Sequence, residues 1–243
     1  MNRVNGKKVV ELKRFKFICA LAMLMAFAGC PKPQSNYRSP YYPRTWNVAI
    51  VPFINHSGSI AINPLALTDS FFTELQMADR VEVVAVNRVL AAMEHLKMNS
   101  IESPADVSLL AQELQVDAVI VGEVMGYDPY KPPRIELRLQ IYEKPELNNQ
   151  VPVGVNPGEI ARAGTTFILT PGYQLSPSRQ VSRIFDADRK DVIDKIKAYA
   201  KAYSDENDPA GWEAYLTSQK YLRFTSYVLV GDVLEEISAM HPN

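Results

Sequence analysis

Residues 46–53, Trp-Asn-Val-Ala-Ile-Val-Pro-Phe, are the stretch that decides the fold. The stretch is short, rich in β-branched residues and almost entirely apolar, which is typical of a strand buried on both faces. Residues 117–124, Asp-Ala-Val-Ile-Val-Gly-Glu-Val, have the same character and predict another central strand. Strands of this kind need neighbouring strands and covering helices, which the rest of the chain has to supply.

The rest of the chain alternates between the two-residue period of strands and the longer period of helices. We predict further strands over 81–86, 134–142 and 180–187, and helices over 63–76, 87–98, 103–114, 188–204 and 212–240. The helical spacing predicts that one apolar face of each of the first two helices points inward. The side chains of these faces are Leu65, Leu67, Phe71, Phe72, Leu75, Leu90, Met93 and Leu96. The order β-α-β-α-α-β-β-β-α-α predicts a single α/β domain, with a mixed sheet of about five strands and a long carboxyl-terminal helix.

Residues 1–29 have the composition of a secretory signal peptide. Basic residues dominate up to Phe17, an apolar run follows over 18–28, and the small residue Gly29 precedes Cys30. The apolar run is shorter than the roughly 20 residues that a membrane-spanning helix needs. We therefore predict that this segment directs export and is then removed.

Residues 27–30, Phe-Ala-Gly-Cys, resemble a bacterial lipobox, in which the cysteine becomes the lipidated first residue of the mature protein. Phe27 departs from the usual aliphatic residue. Of the two cysteines in the chain, Cys19 leaves with the signal peptide, so Cys30 has no disulfide partner in the mature chain. We predict a lipid on Cys30 and a domain that faces the periplasm, from the outer rather than the inner membrane. The alternative is an ordinary secreted protein that keeps an unmodified Cys30.

The mature chain would begin with a tether and carry a negative charge. Residues 31–44 contain four prolines among polar residues, which predicts an extended tether from the lipidated Cys30 to a globular domain over 45–243. The whole chain has 26 basic and 27 acidic side chains, and residues 1–29 hold six of the basic and one of the acidic ones. The resulting formal net charge of −6 gives no electrostatic support for binding nucleic acid.

Residues 144–179 differ in character from the segments around them, because five prolines and several glycines interrupt any regular pattern. We predict a long loop here, and loops of this length inside a compact domain are often functional. We expect a partner to contact this loop and the exposed parts of the last helix. The aromatic stripe of that helix is predicted to lie mainly in the core, and it comprises Tyr215, Leu222, Phe224, Tyr227 and Leu234.

Four segments between residues 46 and 142 resemble the TolB amino-terminal and CsgG-like domains. Residues 48–58, Val-Ala-Ile-Val-Pro-Phe-Ile-Asn-His-Ser-Gly, are similar to their opening strand and loop. Residues 81–96 resemble their second strand with its helix. Residues 110–114, Leu-Ala-Gln-Glu-Leu, and 116–124, Val-Asp-Ala-Val-Ile-Val-Gly-Glu-Val, resemble the next helix and strand. The order and spacing of the four segments carry the resemblance.

The resemblance implies a non-enzymatic envelope lipoprotein that acts by protein contact, as an accessory or assembly factor for an envelope or secretion complex. Its partner would be another envelope protein or further copies of the chain. The matching positions would be structural, and they are Pro52, Phe53, Asn55, Ser57, Gly58, Asp117 and Gly122. Gly58 would accommodate a turn, and Asp117 would lie at a helix-to-strand junction. An oligomeric component of a curli-type secretion channel is an alternative, although only 163–170 resembles part of a membrane hairpin.

The sequence contains few residues that suggest a catalytic or metal-binding site. The three histidines, His56, His95 and His241, lack the spacing of a metal site, and we expect neither a metal nor a cofactor. The acidic runs 186–191 and 205–208 are better explained as helix caps than as calcium loops. An enzyme with a site around His56 is a further alternative, but no acidic residue lies beside this histidine in the sequence.

Overall fold

The computed structural model describes residues 45–144, 175–203 and 211–239, all within the compact unit Ser35–Asn243. The strands are β1 (Trp46–Ile50), β2 (Ile54–Asn55), β3 (Val81–Val83), β4 (Ala118–Asp128), β5 (Arg134–Glu143) and β6 (Ser176–Asp186). The α-helices are α1 (Pro64–Leu75), α2 (Val86–His95), α3 (Pro104–Leu114), α4 (Lys190–Tyr203) and α5 (Ser218–Ala239). A 3₁₀ helix, Gly211–Leu216, precedes α5.

The described strands form one mixed sheet in the order β3-β1-β4-β5-β6, and β2 pairs with β4 beyond the end of β1. Strands β3, β1 and β4 are parallel, whereas β4, β5 and β6 form an antiparallel meander. The register places Val48 opposite Ala118, and Ala118 opposite Glu143. The predicted mixed α/β fold with its long last helix is confirmed.

Strand β4 is buried on both faces because a layer of helices covers each of them. Ile120 points to the side where α1, α4 and α5 pack, in a cluster that includes Phe71, Ile196 and Phe224. Val119 points to the opposite side, where α2 and α3 pack. Each fully buried aliphatic side chain of this kind contributes about 1.5–3 kcal/mol relative to an exposed one.

Strand β1 is shorter than the predicted 46–53 because the chain leaves β4 after Val51. The amide of Val51 still donates to the carbonyl of Ile120, at 3.0 Å, but the next amide on that side, that of Phe53, donates to the hydroxyl of Thr68 at 2.9 Å instead. The chain pairs with β4 again at Ile54. The prediction thus extended β1 by three residues and did not include β2, so the sheet has six strands where about five were predicted.

Several other predicted boundaries and orientations are wrong. Leu65 and Leu90 are 47% and 40% exposed rather than inward, because each lies at the margin of the apolar face of its helix. The predicted helix 212–240 is interrupted at Thr217, whose hydroxyl donates to the carbonyl of Ala214 at 2.8 Å and competes with helical bonding. Strand β6 begins at Ser176, inside the predicted loop, and 145–174 lie outside the described residues.

Gly122 is required by the close approach of an aromatic ring to the middle of β4. A Cβ atom at this position would lie 2.5 Å from Cε1 of Phe53. Phe53 cannot easily withdraw, because its amide donates to the hydroxyl of Thr68 at 2.9 Å and its ring packs edge-on against Phe71. The ring therefore occupies the space that a side chain at position 122 would need.

We predict that Gly122→Ala lowers the free energy of unfolding by about 1–3 kcal/mol, because the added methyl group overpacks the core at Phe53. Urea denaturation of the protein measures this change. Gly126→Ala is the matched control in the same strand, since its Cβ would lie 3.6 Å from Cβ of Glu136, in ordinary contact. The control should shift stability by less than about 0.5 kcal/mol. Equal stability of the two variants would contradict the close approach of Phe53.

Candidate interaction surface

The register of the sheet defines two ends of the domain. The chain enters the sheet at Trp46, and at this proximal end β4 begins, β5 ends and β6 begins. The distal end lies at the opposite side of the strands. It holds the loop after β2, the turn between β4 and β5, and the end of β6 at Asp186.

Asp117 ties three strands together at the proximal end. It lies between α3 and β4 and is 3% exposed. Its Oδ2 accepts a hydrogen bond from the amide of Asn47 at 3.2 Å, and its Oδ1 lies 3.3 Å from Nζ of Lys144. The main chain of Asp117 also bonds to both of these neighbours. Its role is thus structural, and it fixes where β1 and β5 meet the start of β4.

Asn55, Ser57 and Gly58 form a rigid turn at the distal end. Oδ1 of Asn55 accepts from both the amide and the hydroxyl of Ser57, at 3.0 and 2.6 Å. Its Nδ2 donates to the carbonyl of Ser59 at 2.9 Å. Gly58 adopts a φ of 71°, a conformation that favours glycine. These side chains therefore satisfy one another and hold the loop in a single shape.

His56 has an acidic partner that sequence proximity could not reveal. Its Nε2 lies 3.6 Å from Oε1 of Glu123 on β4, and the other oxygen of Glu123 lies 3.3 Å from Arg138 on β5. The adjacent hydroxyl of Ser57 donates to Asn55 rather than toward His56. The arrangement is a partly exposed polar network around Glu123, and it lacks the bond from hydroxyl to imidazole that activates a serine nucleophile.

Large exposed hydrophobic side chains concentrate at the distal end. Ile60 is fully exposed in the loop after β2, and Tyr130 is 80% exposed in the turn between β4 and β5. Leu65 is in the first turn of α1, and Ile184 is two residues before the end of β6. We call these four residues the distal patch. Among the described residues, only Leu90 is a further large exposed hydrophobic residue.

The turn that carries Tyr130 is braced by its neighbours. The amide of Tyr130 donates to Oδ1 of Asp128 at 3.0 Å, and Pro133 is buried with its carbonyl accepting from the amide of Ala187. The sequence patterns did not point to Ile60 or Tyr130. The signal that could have found them is a large apolar residue within a run of turn-forming residues.

The aromatic stripe of the last helices lies mostly in the core. Tyr227 is half-buried, whereas the other residues of the aromatic stripe are buried, and these are Tyr215, Leu222, Phe224 and Leu234. Beneath them Glu74 is 1% exposed, and it accepts from the hydroxyl of Tyr199 at 3.4 Å and from Nε of Arg223 at 3.3 Å. Burial, with a smaller effect from Glu74, raises the pKa of Tyr199. This carboxylate is compensated and holds α1, α4 and α5 together.

A groove of about 620 Å³ lies between α4 and α5. Its floor includes Leu234 and its walls include the rings of Tyr199 and Tyr227. Asp232 at its margin is already bound by Arg183, whose Nε and Nη2 lie 2.7 and 2.8 Å from the two carboxylate oxygens. Lys195 and Glu235 also line the groove, so its lining is mixed, and of its charged groups Asp232 is paired within the chain.

Some of the predicted sites can be placed in the structure and others lie outside it. Asp186 accepts from the amide of Asp188 at 3.1 Å, so it shapes the turn that leads into α4. Within residues 45–144, 175–203 and 211–239, no group of three or more His, Cys, Asp or Glu could hold a metal. In the same ranges no helix combines the length and the hydropathy needed to cross a membrane. Cys30, the tether 31–44 and the acidic run 205–208 are outside the described residues.

No family model matches the sequence. No curated protein matches it either. The fold is similar to that of the hypothetical protein CT253 from Chlamydia trachomatis, with 13% identity over 80% of this chain and 99% of that one, at a TM-score of 0.41. Lipoprotein GNA1162 from Neisseria meningitidis is similar with 14% identity over 66% of this chain and 98% of that one, at a TM-score of 0.37. The LpoB C-terminal domain from Salmonella enterica is similar with 12% identity over 45% of this chain and 76% of that one, at a TM-score of 0.36. The resemblance to TolB amino-terminal and CsgG-like domains stays a prediction.

We predict that Asp117→Ala lowers the free energy of unfolding by about 1–3 kcal/mol, because it leaves the amide of Asn47 and the ammonium of Lys144 without their acceptor. Asp117→Asn keeps one acceptor and should cost less. Thermal and urea denaturation of both variants measure the difference. An alanine variant with the stability of the wild type would show that these contacts do not hold the proximal end together.

Proposed function

We propose that this protein is a lipid-anchored component of the bacterial cell envelope that acts without catalysis, by binding another envelope protein. It would serve as an accessory or assembly factor for an envelope or secretion complex. The observation that carries the proposal is the distal patch, which lies at the end of the sheet opposite the point where the chain enters the domain. Several exposed apolar side chains at the same end of a domain favour a protein-binding site there.

The anchor in this proposal is a lipid on Cys30. Residues 31–44 would then join the lipid to Trp46 at the proximal end of the sheet. A fully extended chain reaches at most about 3.3–3.6 Å per residue, so this tether spans roughly 50 Å. The domain would face the periplasm, from the outer membrane, with its distal end free to meet a partner.

The distal patch is suited to protein contact for two physical reasons. Ile60 and Tyr130 are exposed on loops that are held rigid, by the Asn55 network and by the Asp128 turn, so binding would cost little conformational entropy. Tyrosine and large aliphatic side chains also contribute much of the binding energy at protein interfaces when they are buried. The polar groups around them, such as those of Ser57 and Ser59, suit the rim of such an interface.

We predict that Cys30→Ala moves the protein from the membrane fraction to the soluble fraction, because no lipid can be attached. Immunoblots of fractionated cells measure the distribution. Cys19→Ala is the matched control, since it removes the other cysteine of the chain but leaves the lipobox intact. Membrane association of Cys30→Ala equal to that of the control would refute the anchor.

We predict that the double variant Ile60→Ser and Tyr130→Ser captures its partner at least about tenfold less, a loss of about 1.4 kcal/mol in binding free energy. A photo-cross-linking residue at Ala61, which is exposed beside Ile60, reports capture in intact cells. Leu90→Ser is the control, because Leu90 is an exposed large hydrophobic residue, at 40%, outside the distal patch.

The control should cross-link as the wild type does, and all variants should fold, since the substituted side chains are exposed. If the double variant gives the same yield of cross-linked partner as Leu90→Ser, the distal patch is not the contact surface. The anchor is tested separately by Cys30→Ala, so either half of the proposal can fail alone.

A further inference from the structure

The groove of about 620 Å³ between α4 and α5 is kept open by two small residues, Ala198 on α4 and Gly231 on α5. A Cβ atom at Gly231 would meet no neighbouring atom within 4 Å, so the packing of the described residues does not require a glycine there. Glycine inside a helix costs about 1 kcal/mol relative to alanine. This cost is explained if an occupant of the groove approaches α5 closely at Gly231.

The walls of the groove suit proline and tyrosine side chains. The rings of Tyr199 and Tyr227 have centroids 4.8 Å apart, and together with Leu234 they form an aromatic and aliphatic surface. Aromatic-lined grooves bind extended proline-containing segments, which are already close to their bound conformation and lose little entropy. The groove is also open to solvent, whereas sites for small molecules bury about 70–90% of the ligand surface. A segment of polypeptide therefore fits it better than a small molecule.

The two margins of the groove differ in charge. On α5, Glu235 lines the groove and Glu236 follows it, and both side chains are exposed. Arg183 of β6 does not pair with either of them, because its guanidinium donates two hydrogen bonds to Asp232. Lys195 is at the opposite margin, on α4. The α5 margin therefore favours an occupant with basic residues.

We propose that residues 35–44 of this chain, Ser-Asn-Tyr-Arg-Ser-Pro-Tyr-Tyr-Pro-Arg, dock in the groove between α4 and α5. Pro40 and Pro43 are three residues apart, a spacing that sets both on the same side of a polyproline helix with three residues per turn. They meet the aromatic walls, where the tyrosines of the segment also pack. Arg44 directly follows the second proline and faces the acidic margin of α5.

The composition of residues 35–44 matches the groove better than that of two other segments outside the described residues. The segment has two basic residues, three tyrosines and no acidic residue. Residues 204–210 contain three acidic residues and no basic one. Residues 145–174 contain two acidic residues, one basic residue and a single tyrosine. Charge complementarity with Glu235 and Glu236 thus selects residues 35–44.

The chain enters the sheet close enough for this segment to reach the groove. Trp46 begins β1 and packs in the same cluster as Leu234, on the face of the sheet that α4 and α5 cover. Strands β4 and β5 separate β1 from β6, which is about 14 Å across the sheet. The end of α5 lies near the proximal end, since the carbonyl of Glu236 accepts from Arg179 of β6. Ten residues in a polyproline conformation span about 31 Å, enough to cross the sheet and pass a helix about 10 Å wide.

Docking of this segment changes the distance that the distal patch can reach from the membrane, a consequence that rests on the proposed function. With residues 35–44 bound, only residues 31–34 join the lipid on Cys30 to the docked segment. These four residues span at most about 14 Å. Release of the segment restores the reach of roughly 50 Å of the whole tether.

The test uses the full chain in its native membrane, with a photo-cross-linking residue at Ala198, which is exposed and lines the groove. Digestion with trypsin and mass spectrometry identify the linked peptides, and two differently tagged copies show whether both come from one chain. The expected product joins position 198 to residues 39–44 of the same chain. Gly231→Leu should lower its yield at least about tenfold, because the new side chain fills the groove.

Ala91→Leu is the matched control, since it adds a leucine at an exposed position of α2, on the opposite side of the sheet, and should leave the yield unchanged. Pro40→Ala combined with Pro43→Ala should also lower the yield at least about tenfold, without altering the groove. Ser35→Ala combined with Ser39→Ala is its control, because it keeps both prolines. Circular dichroism melts establish that each variant folds.

The proposal is overturned if position 198 links to another protein, to a second copy or to residues outside 35–44, or if the wild type gives no conjugate. It is overturned equally if Gly231→Leu or the proline variant cross-links as its control does. The distribution of Cys30→Ala between membrane and soluble fractions reports the anchor independently. A failure of docking is therefore distinguishable from a failure of the proposed function.

Discussion

The structure depends on one constraint, which is that β4 has to be buried on both faces and paired along both edges. Ile120 and Val119 point to opposite helix layers, so α1, α4 and α5 must cover one side and α2 and α3 the other. Pairing with β1 and β2 on one edge and with β5 on the other fixes the strand order. The close contact of Phe53 with Gly122 sets the path of the chain where it leaves β1. The turn of Asn55, Ser57 and Gly58 and the His56 network follow from that path.

Local patterns predicted the parts of the fold that have local causes. The apolar runs at β1 and β4 form strands as predicted, and the helix predicted over 103–114 forms with a capping box of Ser103 and Asp106. What the patterns missed depends on contacts between distant residues or on a single backbone group. The first strand ends because the amide of Phe53 donates to Thr68 instead of β4, and Thr217 interrupts the last helix through its bond to Ala214. Glu123 reaches His56 only because β2 and β4 are neighbours in the sheet.

The candidate surface could be predicted only in part, and for similar reasons. Burial of the aromatic stripe near Phe224 followed from its helical spacing, but the exposure of Ile60 and Tyr130 depends on which loops meet at the distal end. Asp117 fastens the proximal end, and the arginines of β6 bind α5. Among the described residues, the large exposed hydrophobic side chains lie mainly at the distal end.

The proposed function requires that this domain work while held to a membrane by Cys30. Mass spectrometry of the intact protein purified from membranes tests that claim most directly. We expect a mature chain that begins at Cys30 and carries the added mass of a diacylglyceryl group, together with loss of residues 1–29. A mature chain that begins at any other residue, or one that begins at Cys30 without a lipid, would contradict the account.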